Sequence, residues 1–109
     1  MSVYEIKWTN KEKKVARKAF DTAYQREMDE IKSLFLEKAA KIKSNTDLWA
    51  IEDFLNQKRK VIDKKYDYRY SKLIIVFGRL FSEGYLTEED ISELGEGKRE
   101  LIKKLSMNK

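Results

Sequence analysis

The chain has 109 residues, with no Cys, His or Pro and only 4 Gly, and Lys plus Arg outnumber Asp plus Glu by 24 to 19, a formal net charge of +5. These counts exclude disulfides, thiolate metal sites, thiol nucleophiles and every His-dependent triad. They also leave few chain breakers, as a nearly all-helical chain requires.

Thr9-Asn10-Lys11-Glu12 has the S/T-x-x-E form of a capping box and predicts a helix with Thr9 as N-cap. Ala16, Phe20, Tyr24, Met28, Ile31, Phe35, Ala39 and Ile42 then recur at steps of three or four, one apolar stripe that runs to Ser44-Asn45. About 34 residues at 1.5 Å each make a rod of about 50 Å. A compact chain of this size has a radius of gyration of about 13 Å, so the rod overhangs its own globule. A stripe of that length is usually covered by a second chain, which predicts an elongated homodimer. The steps average about 3.7, so a regular left-handed coiled coil is not expected.

Ser44-Asn45-Thr46 supplies turn and cap chemistry, and a second helix is placed from about Asp47 to Lys65, its end unmarked by Gly or Pro. Asp67 or Ser71 is read as the cap of a third helix reaching Glu83, with Gly84 as its C′ residue. Apolar nearly all round through Leu73 to Phe77, with Leu80 and Phe81, this helix is expected to be the most buried element. A strand over Leu73–Phe77 would have no second strand to pair with. Thr87-Glu88-Glu89-Asp90 caps a short fourth helix carrying Ile91 and Leu94. Gly95-Glu96-Gly97 interrupts it, and Leu101, Ile102 and Leu105 resume an amphipathic pattern toward a charged, frayed C-terminus. The expected fold is all-α and single-domain over residues 1–109: a flexible start at 1–8, a stalk at 9–65 and a compact helical head at 66–109.

Leu73-Ile74-Ile75-Val76-Phe77 is the longest apolar run, against roughly 20 residues needed to span a bilayer. Met1-Ser2-Val3-Tyr4-Glu5-Ile6 lacks the form of a secretory signal. No membrane insertion and a cytoplasmic location are expected. The carboxylate clusters Asp29-Glu30, Glu52-Asp53 and Glu88-Glu89-Asp90 read as helix starts and solvated faces, since a di-iron bundle needs His. Gly95-Glu96-Gly97-Lys98 is too short for a phosphate loop, and neighbours Ser71 and Lys72 do not face each other on a helix. The chain is therefore read as no enzyme, with no cofactor and no metal. Basic residues alternate with acids in Lys11-Glu12-Lys13-Lys14, Glu37-Lys38 and Asp63-Lys64-Lys65, a solvated surface rather than a nucleic-acid face. Tyr66-Asp67-Tyr68-Arg69-Tyr70 is read as a helix junction with two of its three rings buried.

The second helix is the informative one. At about 100° per residue, Leu48, Ile51, Phe54, Leu55, Val61 and Ile62 share one broad face, taken as the core side. Trp49, Asp53, Asn56 and Lys60 fall opposite, flanked by Glu52 and Arg59. A Trp on a polar face suits an interface anchor. Asp53 and Arg59 point too far apart around the axis to pair within the helix, but both could pair across a two-fold axis. The face is read as a homodimer seam with Trp49 at its centre and Leu48, Asp53, Asn56 and Arg59 around it. The rival reading of Trp49 is an edge contact with the first helix of its own chain.

At these residues the sequence resembles the fluorescence recovery protein family. The resemblance is carried by Asp47-Leu48-Trp49, Asp53-Phe54-Leu55, Lys58-Arg59, Ile62-Asp63-x-Lys65-Tyr66-Asp67-x-Arg69 and Glu83-Gly84, with Ala23-Tyr24-Gln25-Arg26-Glu27 upstream. It runs from about Phe20 to Leu105. What it implies is a non-enzymatic helical dimer that binds the photoactivated orange carotenoid protein, speeds its return to the resting state and so ends photoprotective quenching. It also implies that Trp49, Asp53 and Arg59 match the family's dimer-region Trp, Asp and Arg. Glu52 stands where cyanobacterial members carry His. Ile75 and Leu101 stand where the family has a Phe and a Lys that dock the carotenoid protein. Glu52, Ile75 and Leu101 are the partner-binding candidates this resemblance gives. The alternative is a helical dimeric adaptor on the same scaffold with an unrelated protein partner, and a nucleic-acid-binding dimer ranks third.

Overall fold

The structure, a computed structural model, describes residues 6–107. Its elements are α1 (Asn10–Ala40), α2 (Asn45–Lys65), α3 (Leu73–Ser82), a 3-10 turn (Glu89–Ile91) and α4 (Glu96–Met107), with no strand among the described residues. The all-α, elongated expectation holds. The molecule measures 54 × 23 × 23 Å, with a radius of gyration of 16.7 Å, well above the roughly 13 Å of a compact chain.

The capping box at Thr9 forms as read. The Thr9 hydroxyl accepts from the Glu12 amide at 3.1 Å, and the Glu12 carboxylate accepts from the Thr9 amide at 3.1 Å. The far end of α1 differs: the helix stops at Ala40 rather than at Ser44, and Ile42 lies beyond it. The Lys41 amide donates back to the Lys38 carbonyl, tightening the last turn. The Ile42 amide likewise reaches back to the Ala39 carbonyl, and the Asp47 carboxylate takes the amides of Lys43 (2.9 Å) and Ser44 (3.2 Å). The Ser44 hydroxyl accepts from the Asp47 amide in return, so α2 starts two residues earlier than the sequence suggested.

The core draws on every element but α2. Ala16, Ala19, Phe20 and Ala23 of α1 meet Leu73, Ile74, Phe77 and Leu80 of α3, with Leu86, Ile91, Leu94 and Ile102 closing the cluster. The first half of α1 is therefore packed into the head, its small alanines letting other elements come close, and the second half runs out beside α2. As expected, α3 is the most buried helix, and it packs against α4 across Gly78. A Cβ on Gly78 would sit 2.9 Å from that of Leu105, so only glycine fits there. Gly84 follows α3 at φ +85°, the left-handed C′ conformation its type favours.

Two capping assignments are corrected. Neither Asp67 nor Ser71 caps α3; the Arg69 carbonyl collects the amides of Lys72 and Leu73 and feeds a helix that starts without a side-chain cap. Thr87 and Asp90 do exchange reciprocal bonds, but they initiate only the 3-10 turn at Glu89–Ile91. The glycines do not interrupt the last helix, for α4 begins at Glu96 and contains Gly97. Gly95 is held just before it, its amide donating to Glu12 at 2.9 Å.

Of the flexible start expected at 1–8, residues 1–5 lie outside the described ones, whereas Ile6 and Trp8 pack against the core. The frayed end expected at the C-terminus falls on residues 108–109, also outside them. The tyrosine run is a helix junction, but the two rings expected to be buried, Tyr66 and Tyr68, are half-buried. Tyr66 and Tyr68 stand edge-on to Phe20 at 5.4 and 4.9 Å, and Tyr70 is left half exposed.

Candidate functional site

The face of α2 divides differently from the sequence reading. Ile51 and Ile62 are buried against α1, and Phe54 is half-buried beneath the Lys38 and Lys58 ammonium groups, 4.9 and 5.8 Å from its ring. Leu48, Leu55 and Val61, expected on the core side, are exposed by 47%, 37% and 41%. The cause is geometric. A single neighbouring helix covers a narrow stripe, and the apolar face of α2 is wider than α1 can cover.

Trp49 is 60% exposed, the largest open aromatic on the stalk, so most of its side chain is left uncovered by its own chain. Glu52, Asp53, Asn56 and Arg59 are exposed with it. As the spacing required, Arg59 does not reach Asp53 within the chain; its Nε lies 3.9 Å from Asp63, one turn on. Leu48, Trp49, Asp53, Asn56 and Arg59, the residues expected at a seam, thus stand on one open side of one helix, mixing apolar side chains with both signs of charge.

The three partner-binding candidates do not converge. Glu52 is on the stalk. Ile75 is the outward residue of α3, 46% exposed where Ile74 and Val76 beside it are buried. It lines a hollow with Lys64, Arg69, Lys72 and Arg79. Leu101 is half-buried on α4 and lines a different hollow, with Ile6, Lys7 and Lys104.

Sequence reasoning missed two buried ionic groups that hold these surfaces in place. Lys65, the last residue of α2, donates to Glu27 of α1 at 2.7 and 2.8 Å and to Glu83 at 2.6 Å. The Tyr66 hydroxyl donates to the same Glu27 at 2.8 Å, and burial together with that carboxylate pushes its pKa up. Burial would raise the Glu83 carboxyl, but the Lys65 and Arg79 cations outweigh it and hold its pKa low. At the other end of the head, Glu12 accepts from Lys98 at 3.0 and 3.1 Å. Burial opposes its ionisation, yet the Thr9 and Gly95 amides and Lys98 win and lower its pKa to about 2. Glu12 therefore does not belong to the solvated surface expected for Lys11–Lys14. The signal was available: Glu27 sits on the same four-residue row as Ala19, Ala23 and Ile31, at an apolar phase of α1.

Among the described residues no group of His, Cys, Asp and Glu is arranged to hold a metal, and no helix is long and apolar enough to cross a membrane. The sequence profile of the family described as photoprotection regulator fluorescence recovery protein matches residues 8–106. The chain belongs to the fluorescence recovery protein family. It is 39% identical over 102 residues to the fluorescence recovery protein of Synechocystis sp., covering 94% of each chain. Solved structures agree. The fluorescence recovery protein of Fremyella diplosiphon superimposes with a TM-score of 0.87 at 37% identity, over 93% of this chain and 99% of that one. The Synechocystis structure gives 0.88 at 39%, with the same coverage. Membership makes this fluorescence recovery protein relative a regulator of photoprotection, and its helices are those of the family's fold.

Proposed function

We propose that the chain is a non-enzymatic, cytoplasmic homodimer that binds a photoactivated orange carotenoid protein and accelerates its return to the resting state, ending photoprotective quenching. The observation that carries this reading is the open face of α2 in a member of this family, with Trp49 60% exposed and Leu48 47% exposed in the isolated chain. Large apolar side chains set among Asp53, Asn56 and Arg59 have the character of a self-complementary interface core with polar surroundings. Such a regulator needs no chemistry. It prefers some conformations of its partner over others and so shifts populations and lowers the barrier to relaxation. Glu52, Ile75 and Leu101 are assigned to partner contact on this reading, with no nucleic acid and no membrane insertion.

One observation favours the adaptor reading, in which the same dimer serves an unrelated protein. Glu52, Ile75 and Leu101 replace the His, Phe and Lys that the family resemblance calls for, and they lie on three different helices. Binding separates the two readings. Illuminated and dark orange carotenoid protein are each passed over a size-exclusion column with the chain. Co-elution of the illuminated form supports the regulator; no co-elution of either form leaves the adaptor.

A further inference from the structure

Between α1 and the end of α2 lies a hollow that the seam residues and the three partner-contact positions do not line. It is about 350 Å³ in volume, with Phe20, Asp21 and Tyr24 on one wall and Ile62, Asp63 and Tyr66 on the other. Its rings form an edge-to-face chain. The centroids of Phe20 and Tyr66 are 5.4 Å apart and those of Tyr24 and Tyr66 5.2 Å, each pair near perpendicular. The Tyr66 hydroxyl donates to Glu27 at 2.8 Å, which fixes the middle ring. One guanidinium already uses part of this wall. Arg17 stands 5.6 Å from the Phe20 centroid and 4.6 Å from that of Tyr68, and it meets Asp21 through Nε and Nη2, both at 3.2 Å. Tyr24 and Asp63 offer the same two groups, a ring and a carboxylate, in the same hollow. The neighbouring cation Lys65 faces Tyr66 and Tyr85 instead, and Tyr24 is left 39% exposed. Asp63 is 69% exposed, and the Arg59 Nε beside it lies 3.9 Å away, too far for a hydrogen bond.

We infer that this hollow is a binding site for an arginine side chain of a partner protein, its guanidinium stacked on Tyr24 and hydrogen-bonded to Asp63. The chemistry of the lining selects the occupant. A ring face attracts a cation, and a planar guanidinium stacks on the ring while it offers a carboxylate two parallel donors. Arg17 shows that combination one turn away on α1, with Phe20 and Asp21. Because Asp21 is matched by Arg17, the charge left in the lining is that of Asp63, which repels phosphates and carboxylates and so disfavours nucleic acid and acidic segments. A neutral apolar group would fill the space but take solvent from the Asp63 carboxylate without giving it a donor. The exposure of Tyr24 and Asp63 leaves the hollow open to solvent, as entry of a side chain still attached to its backbone requires. The inference does not rest on the carotenoid-protein reading, since it uses none of Glu52, Ile75 and Leu101.

The test titrates N-acetyl-arginine amide into the full chain and follows amide NMR shifts. Saturable millimolar binding is expected, with shifts clustered at residues 17–24 and 62–66. N-acetyl-citrulline amide, of the same shape without the charge, should bind about fivefold more weakly. Tyr24→Leu and Asp63→Asn should each weaken arginine binding about three- to fivefold, and Tyr24→Phe, which keeps the ring, should change it less than about twofold. Asp63 is an exposed position, so its variant reads the site even where Tyr24→Leu loosens the packing on Tyr66. Equal binding of the citrulline compound, scattered shifts, no shifts up to about 50 mM, or undiminished binding by Asp63→Asn would overturn the inference. A light-scattering mass for Tyr24→Leu below that of the parent would overturn it too, because the arginine in the hollow would then come from a second copy. Failure to bind the carotenoid protein bears on the regulator reading alone.

Discussion

Lys65 and Glu27 form a buried ion pair in which both oxygens of the carboxylate lie within 2.8 Å of the ammonium, with 2% of the lysine side chain exposed. Through Glu83 the same ammonium reaches the end of α3, so one lysine ties the stalk helix α2 to α1 and to the head. Losing one partner of such a pair strands the other without solvent. Lys65→Met should therefore cost about 3–5 kcal/mol of unfolding free energy in urea titrations. Adding Glu27→Leu to that variant should recover much of the loss, as a double-mutant cycle would register. A near-zero effect of Lys65→Met would contradict the buried pairing.

Glu12 makes stability depend on acid pH. Its pKa is held to about 2 in the fold, below the ordinary value of 4.5. A depressed carboxyl stabilises above its unfolded pKa, and that contribution fades as pH falls from 4.5 toward 2. The loss should reach roughly 3 kcal/mol at the bottom of that window. Glu12→Gln should be less stable than the parent at pH 7, with a flatter pH profile across it, in urea midpoints taken at each pH.

At Gly78 the helices α3 and α4 approach until a Cβ would stand 2.9 Å from Leu105 Cβ and 3.5 Å from the Ile102 carbonyl oxygen. A Cβ is fixed by the backbone that carries it and, like the backbone itself, cannot swing aside by a change of rotamer. Gly78→Ala should then destabilise by about 1–3 kcal/mol despite alanine's better helix propensity. Stabilisation in thermal melts would show that the two helices can separate at little cost.

The proposed seam has a direct mass test. Leu48→Glu or Trp49→Ala, both at exposed positions, should shift the light-scattering mass toward the 13.0 kDa of one chain. Helical circular dichroism of the head should persist, because neither side chain belongs to its core. A mass unchanged by both would refute the seam.

The fold was legible wherever local chemistry decided it. Thr9 and Glu12 cap α1, Gly84 ends α3 in the left-handed region, and the apolar run at Leu73–Phe77 forms the core helix, all as their residue types require. Misplaced boundaries came from competition between neighbours: Asp47 captured the amides that would have extended α1, and Glu12 pinned Gly95 ahead of α4. The candidate site was only partly legible. Helical phase put Trp49, Asp53 and Arg59 on an open side, but Leu48, Leu55 and Val61 were assigned to the core because phase cannot say how many neighbours a helix has. The Lys65 and Glu12 ion groups join residues 38 and 86 positions apart, beyond any local pattern.

Recovery kinetics bear most directly on the central claim. Orange carotenoid protein is converted to its red form by blue light, and its return to orange in the dark is timed with the chain present at about micromolar concentration, the range where a protein contact of ordinary affinity saturates. The regulator reading predicts a recovery rate that rises with added chain and levels off, and that falls back toward the unassisted rate with Ile75→Ser. Recovery that is no faster at any concentration would contradict it.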